Sequence, residues 1–159
     1  MTAPVLELRE LTPSVLAEVR SAVVLPPHQA EWVGGTVDDA LQEAAEEPEG
    51  NPWPRGVYVD GEAVGFVMLS WDTEPNPPDL LGPWYLWKLM IAPAAQGTGL
   101  GSAVVRHLAG LVAEQGGSEL LTSVDQDGEH SPYAFYVGLG FVPSGEYAAW
   151  GEEILVLTL

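Results

Sequence analysis

The segment Gln96-Gly97-Thr98-Gly99-Leu100-Gly101-Ser102 places glycines at alternate positions just ahead of an amphipathic run. Glycines this closely spaced let backbone approach a ligand, and the free N–H groups of a helix's first turn lie at its positive dipole end. Such a turn accepts a phosphate; the same residues also serve as a plain strand-to-helix connector. Two phosphate-loop templates fail against it. The G-x-x-x-x-G-K-[ST] loop lacks its spacing and its lysine, and G-x-G-x-x-G loses its third glycine to Ser102.

The remaining reactive residue types narrow the chemistry. With no cysteine, disulfides, thiolate metal sites and a Cys nucleophile all fall away. His28 and His130 stand isolated in loops flanked by proline or glycine, and no H-E-x-x-H spacing occurs, so no metal is expected. No G-x-S-x-G elbow is present either. His107 follows Leu100 by two helical turns on the apolar face, which suits a packed, hydrogen-bonded side chain.

The elements that must carry these residues read as follows. Leu6 to Leu11 is a strand; Thr12-Pro13 opens a helix with Leu16, Val19 and Val23 on one face, stopped by Pro26-Pro27. Thr36 with Asp39 forms a capping box ahead of Val37, Ala40, Leu41, Ala44 and Ala45, and Pro48 and Gly50 end that second helix. Arg55–Val59 and Ala63–Trp71 are strands joined by an Asp60-Gly61 hairpin turn, and Asp72 to Asp79 is a loop. Trp84 to Ile91, apolar at nearly every position, reads as a central strand buried on both faces. A helix from Gly99 buries Leu100, Ala103, Val104, Leu108, Leu111 and Val112 and closes at Gly116-Gly117. Leu120–Val124 is a strand, Ser131-Pro132 opens a short helix, and Phe141–Tyr147 with Glu153–Leu159 end the chain as strands. The order is β-αα-βββ-α-β-α-ββ, a mixed α/β (α+β) class in one domain spanning residues 1–159.

Charge removes further function classes. The 159 residues carry 5 Lys and Arg against 23 Asp and Glu, a net charge of -18, and Ser21–Pro54 and His107–Leu159 hold no Lys or Arg. Nucleic acid and anionic membranes need clustered cations and are excluded as partners. The acidity serves either the attraction of a cationic partner or solubility. No signal peptide is read at the N-terminus, and the longest apolar stretch, Trp84–Ala92, is too short for a bilayer and is broken by Lys88. A cytoplasmic protein is expected.

The turn satisfies Q-x-x-G-x-G in full, and Leu89-Met-Ile-Ala-Pro-Ala-Ala-Gln-Gly-Thr-Gly-Leu-Gly101 resembles the acetyl-CoA-binding signature of the GNAT superfamily of N-acetyltransferases. Ser131-Pro-Tyr-Ala-Phe-Tyr-Val-Gly-Leu-Gly-Phe141 is similar to the family's later motif. Pro27–Val33, Gly65–Leu69, Tyr85–Met90 and Gly151–Leu157 are similar to bacterial spermidine/spermine or diamine acetyltransferase-like members. The resemblance covers essentially the whole chain and implies a GNAT-type fold around a central mixed, mostly antiparallel sheet.

It implies a site as well. Backbone groups of Leu89, Met90 and Ile91 would pair with the pantetheine arm and thioester of acetyl-CoA, and amides of Gln96, Gly97, Thr98, Gly99, Leu100, Gly101 and Ser102 would hold the pyrophosphate. Tyr136 takes the position of the tyrosine that protonates the departing thiolate. A fixed N–H and a phenol donor suit the charge that develops when an amine attacks a thioester. Glu31, Trp32, Asp72 and Trp84 flank the elements that would surround a small-molecule amine acceptor, and Glu74 joins them; carboxylates with aromatic faces suit a polyamine. The other reading of these residues is core packing for the tryptophans and solvation for the acids. No residue is marked as general base, and a water chain to Glu31 or Asp72 is compatible with the pattern. A homodimer also fits the resemblance. Two departures stand out: Thr98 sits where the family commonly has a cation, and Ser131-Pro132 stands where it commonly has Asn. An aminoglycoside or peptide N-terminal acetyltransferase, or a non-catalytic acyl-CoA-binding module, are the alternatives.

Overall fold

The structure is a computed structural model and describes residues 4–27, 29, 35–125 and 131–159. Its elements are β1 (Leu6–Glu10), α1 (Pro13–Ala22), α2 (Val37–Glu46), β2 (Pro52–Val59), β3 (Glu62–Ser70), β4 (Tyr85–Ile91), α3 (Leu100–Glu114), β5 (Glu119–Val124), α4 (Tyr133–Gly138), β6 (Val142–Tyr147) and β7 (Glu153–Thr158). The strands form one sheet, ordered β1-β2-β3-β4-β5-β7-β6, antiparallel everywhere except between β4 and β5. This is the mixed, mostly antiparallel sheet and the element order that the sequence implies.

Local signals explain most boundaries. Thr12 caps α1 by accepting from the Val15 amide, and Thr36 with Asp39 forms the reciprocal capping box of α2, a device worth about 1 kcal/mol. Asp60 and Gly61 both adopt positive φ, as the two-residue hairpin between β2 and β3 requires. One face of the sheet packs Val15 and Val19 of α1 and Ala40 of α2 on Tyr58, Phe66, Met68 and Met90. The other packs Val104, Val105, Leu108 and Val112 of α3 and Tyr136 of α4 on Val57, Leu69, Leu86, Leu120 and Leu155.

Three expectations are corrected. β2 starts at Pro52 rather than Arg55, because Pro52 to Pro54 pair only with β3; β1 reaches no further than Arg55, so the missing amides face an open edge. The buried stripe of α3 is rotated toward Val105, which leaves Ala103 and His107 exposed rather than packed. β4 is not buried on both faces: Trp87, Leu89 and Ile91 are half-exposed, because β5 leaves them without a neighbour.

That departure opens the sheet. β4 and β5 pair at Tyr85↔Leu121 alone, with the Leu121 amide donating to the Trp84 carbonyl. The Thr122 hydroxyl then bonds the Leu86 carbonyl at 3.2 Å, and beyond it the strands diverge. A bulge contributes: Met68 pairs Lys88 and Leu69 pairs Leu86, so Trp87 is an extra residue that bends β4 away.

Candidate functional site

The opened seam is a cavity of about 1020 Å³ that runs through the sheet. It has two halves. On the α3 side it is lined by Leu89, Met90 and Ile91 at the end of β4, by Gln96, Gly97, Gly99, Leu100, Gly101 and Ser102, and by Phe135 and Tyr136 of α4. On the α2 side it is lined by Glu43, Glu47, Asp79, Tyr85, Trp87, Lys88, Ser123, Trp150 and Glu152.

The first half is largely backbone. Past Leu86 the β5-facing edge of β4 has no strand partner among the described residues, and peptide groups of this edge face the cavity. Gly97 and Gly99 adopt φ of +77° and +82°, and a Cβ built on either meets nothing within 4 Å, so open space lies in front of both. Gly99 caps α3, whose first turn leaves amides without intrahelical partners. The Gln96 side chain pins the turn: its Nε2 donates to the Ile91 carbonyl at 2.9 Å and to Gln29 Oε1 at 2.6 Å.

Two residues of the turn make further contacts of their own. Thr98 is outside the lining, because its hydroxyl folds back onto the Ala95 carbonyl at 2.5 Å. A Cβ on Gly101 would meet Phe135 at 3.2 Å, so this glycine makes room for α4 as well as bordering the cavity.

Tyr136 stands where the halves meet. It is 7% exposed, and its ring is edge-on to Phe135 and Phe141. Burial pushes the phenol up to about 12, so it stays protonated and able to donate at neutral pH.

The second half is made of side chains. Glu43 Oε2 pairs with Lys88 Nζ at 2.9 Å, and the lysine is 9% exposed. Burial, then the neighbouring Glu43, Glu49 and Glu46, push the Glu47 carboxyl above the ordinary glutamate range. Across the cavity Glu152 Oε1 accepts from Ser123 Oγ at 2.8 Å and from Trp150 Nε1 at 2.7 Å, and Ser123 Oγ lies 2.8 Å from the Tyr85 hydroxyl. Desolvation raises the Tyr85 phenol strongly, so it remains a donor. The Ala149 amide bonds the Pro78 carbonyl at 2.8 Å, which joins the β6–β7 turn to the β3–β4 loop.

The acceptor residues implied by the resemblance fare differently. Glu31 and Trp32 lie outside the described residues. Trp84 is buried and edge-on to Trp71 at 4.8 Å; it sits at the closed end of the seam, in the core, and does not line the cavity. Asp72 is an exposed turn residue with φ of 48° at the end of β3, and it too stays outside. Glu74 is likewise outside the lining, while Asp79 of the same loop reaches it. Glu43, Glu47, Asp79, Trp87, Lys88, Ser123, Trp150 and Glu152 were not singled out by sequence. Trp87, Lys88 and Glu152 fall within segments that carry the resemblance but have no role attached to them, and the spacing of Glu43 and Glu47, one helical turn apart, distinguishes nothing in a chain this acidic. Among the described residues no group of three or more His, Asp or Glu gathers as metal ligands, and no helix is long and apolar enough to cross a membrane.

Comparison with known proteins bears on this cavity. The acetyltransferase (GNAT) family profile matches residues 17–141. A mycothiol acetyltransferase of Frankia alni is 34% identical over 128 residues, 72% of this chain, and the chain spans about a third (34%) of that relative's length. The spermine/spermidine N(1)-acetyltransferase of Bacillus subtilis is 30% identical over 110 residues, covering 67% of this chain and 70% of the relative. The fold is shared with an aminoglycoside acetyltransferase solved in complex with coenzyme A, at a TM-score of 0.69 and 22% identity over 98% of this chain and 95% of that one.

Proposed function

The chain belongs to the acetyltransferase (GNAT) family, and from that premise we propose that residues 1–159 are a single N-acetyltransferase domain. It moves an acetyl group from acetyl-CoA to a primary amine, with a polyamine or other small cationic amine as acceptor. The observation that carries this reading is the composition of the one continuous cavity: free backbone and glycines on the α3 side, carboxylates and indoles on the α2 side.

Each half suits its ligand. The edge of β4 at Leu89, Met90 and Ile91, from which β5 has diverged, offers a strand-like partner to the amide-bearing pantetheine arm, and the amides of the Gln96–Ser102 turn face a pyrophosphate. The thioester supplies an activated acyl carbon. Glu47, Asp79 and Glu152 attract an ammonium, and the indole faces of Trp87 and Trp150 accept its alkyl chain and charge. Tyr136, kept protonated by burial, stands at the junction of the halves to give its proton to the departing sulfur. The Glu43–Lys88 pair sets the one lysine that lines the cavity against four carboxylates, Glu43, Glu47, Asp79 and Glu152, so the balance of the α2 side stays negative.

Incubation with acetyl-CoA and separate amines (spermidine, an aminoglycoside, a peptide with a free N-terminus), read by mass spectrometry, tests the reading. Acetylated spermidine is the expected product. Coenzyme A binding without an acetylated product from any amine would mark a binding module instead.

A further inference from the structure

Glu152 is built into the site in a way that the other acids of the cavity are not. Glu43 is tied to Lys88, and Glu47 belongs to an exposed run of glutamates on α2. Glu152 instead sits in the β6–β7 turn, half-buried, with two donors fixed on one oxygen. Both fall on Oε1. Because the buried Tyr85 phenol is a donor, the direction of the chain follows: Tyr85 donates to Ser123, and Ser123 donates to Glu152. Neither Ser123 nor Trp150 occupies Oε2. The carboxylate is therefore pre-positioned from two elements while keeping one oxygen for a ligand, beside the indole of Trp150, which also lines the cavity.

Its place relative to Tyr136 matters more. Glu152 and Tyr136 line the same cavity, and the Ser123 and Tyr85 hydroxyls tie the acid to β5 and β4 where those strands part, beside the junction where an amine must meet the thioester. We infer that Glu152 receives the ammonium of the acceptor on the α2 side and takes its proton, so that a neutral amine attacks the thioester. This rests on the acetyl-transfer reading and assigns the base which that reading leaves open. Among the described residues, the other titratable groups lining this side are Tyr85 and Lys88 on β4, Tyr136 on α4, Glu43 on α2, Glu47 at its C-terminal end and Asp79 in the β3–β4 loop. Both tyrosines are held protonated, Glu43 is engaged by Lys88, and Glu47 and Asp79 are carboxylates more exposed than Glu152.

The protons balance. The ammonium gives one proton to the Glu152 carboxylate, leaving a neutral amine and a carboxylic acid. The nitrogen lone pair forms the C–N bond, the C–S bond breaks, and sulfur takes a proton from Tyr136. The phenol recovers that proton from the nitrogen of the new amide, and Glu152 releases its own to water at the half-exposed turn. In water the first step runs uphill by about 6 pH units. Entry into the cavity strips the ammonium of water, which favours the neutral amine.

The test compares wild type, E152Q and S123A using propanediamine and its weakly basic gem-difluoro analogue, with kcat and KM measured across pH. For propanediamine at neutral pH, E152Q should lower kcat by on the order of 10²-fold, as for loss of a general base. The deficit should shrink as pH approaches the amine's own pKa and should be much smaller for the difluoro analogue, which needs no base; S123A should fall between. A loss equal for both amines at every pH, a loss confined to KM, or no loss would overturn the inference and leave acetyl transfer standing. A wild type that binds coenzyme A but acetylates neither amine would overturn both.

Discussion

The half of the cavity beside the Gln96–Ser102 turn is made of backbone, whereas the half beneath α2 is made of side chains from α2, the β3–β4 loop, β4, β5 and the β6–β7 turn. The first is set by a contiguous stretch of chain: an unpaired strand edge, two positive-φ glycines and a helix start. The second exists only once five segments converge. A backbone site tolerates change in most of its side chains and fails where a Cβ intrudes; a side-chain site loses affinity residue by residue. The difference gives each half its own signature when perturbed.

The largest effect is expected at the junction. Tyr136→Phe keeps the ring edge-on to Phe135 and Phe141 and removes the donor, so kcat should fall by on the order of 10²-fold with coenzyme A affinity nearly unchanged. The sign of its pH dependence follows from the raised phenol: the donor form persists as pH rises until about 12, so no alkaline loss of activity below that range belongs to this group. Wild-type kcat in the variant would place the acid elsewhere.

Next comes the backbone half. Gly99→Val forces a β-branched residue into φ of +82° and puts its side chain into the open space before the turn; strain alone is of order 1–3 kcal/mol. Coenzyme A affinity by calorimetry should weaken by about tenfold or more, with the amine KM little changed. Equal damage to both ligands would erase the distinction between the halves.

The side-chain half should respond in smaller steps. Glu47→Gln removes one partly screened carboxylate and should raise the amine KM by about threefold, leaving coenzyme A affinity alone. Smallest is the effect of salt. With a net charge of -18, raising NaCl from low to moderate concentration should lower the KM for acetyl-CoA and raise it for a cationic amine, each by about twofold. An amine KM that stays flat would count against a cationic acceptor.

The same contrast decides what the sequence reveals. The capping box at Thr36, the Asp60-Gly61 turn and the glycines of the 96–102 segment are local devices whose geometry a few adjacent residues determine, and all are legible. The side-chain half is not, because nothing in the residues next to Glu152 announces that Ser123 and Trp150 will hold it. Trp84 and Trp87 show the limit most clearly. Both lie in one run that is apolar at nearly every position; standing three residues apart they fall on opposite faces of the strand, and only the divergence of β5 from β4 leaves Trp87 at the cavity while Trp84 packs in the core. His107 fails for a related reason: a helix's apolar stripe is wide, and only the sheet beneath it decides which edge is covered.

The most direct measurement is the rate of coenzyme A release from acetyl-CoA with three amines of equal chain length: pentylamine, cadaverine and lysine. The acidic half predicts amine-dependent release with kcat/KM highest for cadaverine, whose second ammonium meets further carboxylate, and lowest for lysine, whose carboxylate meets like charge. Coenzyme A that binds but is released at the same background rate with and without each amine would contradict the account.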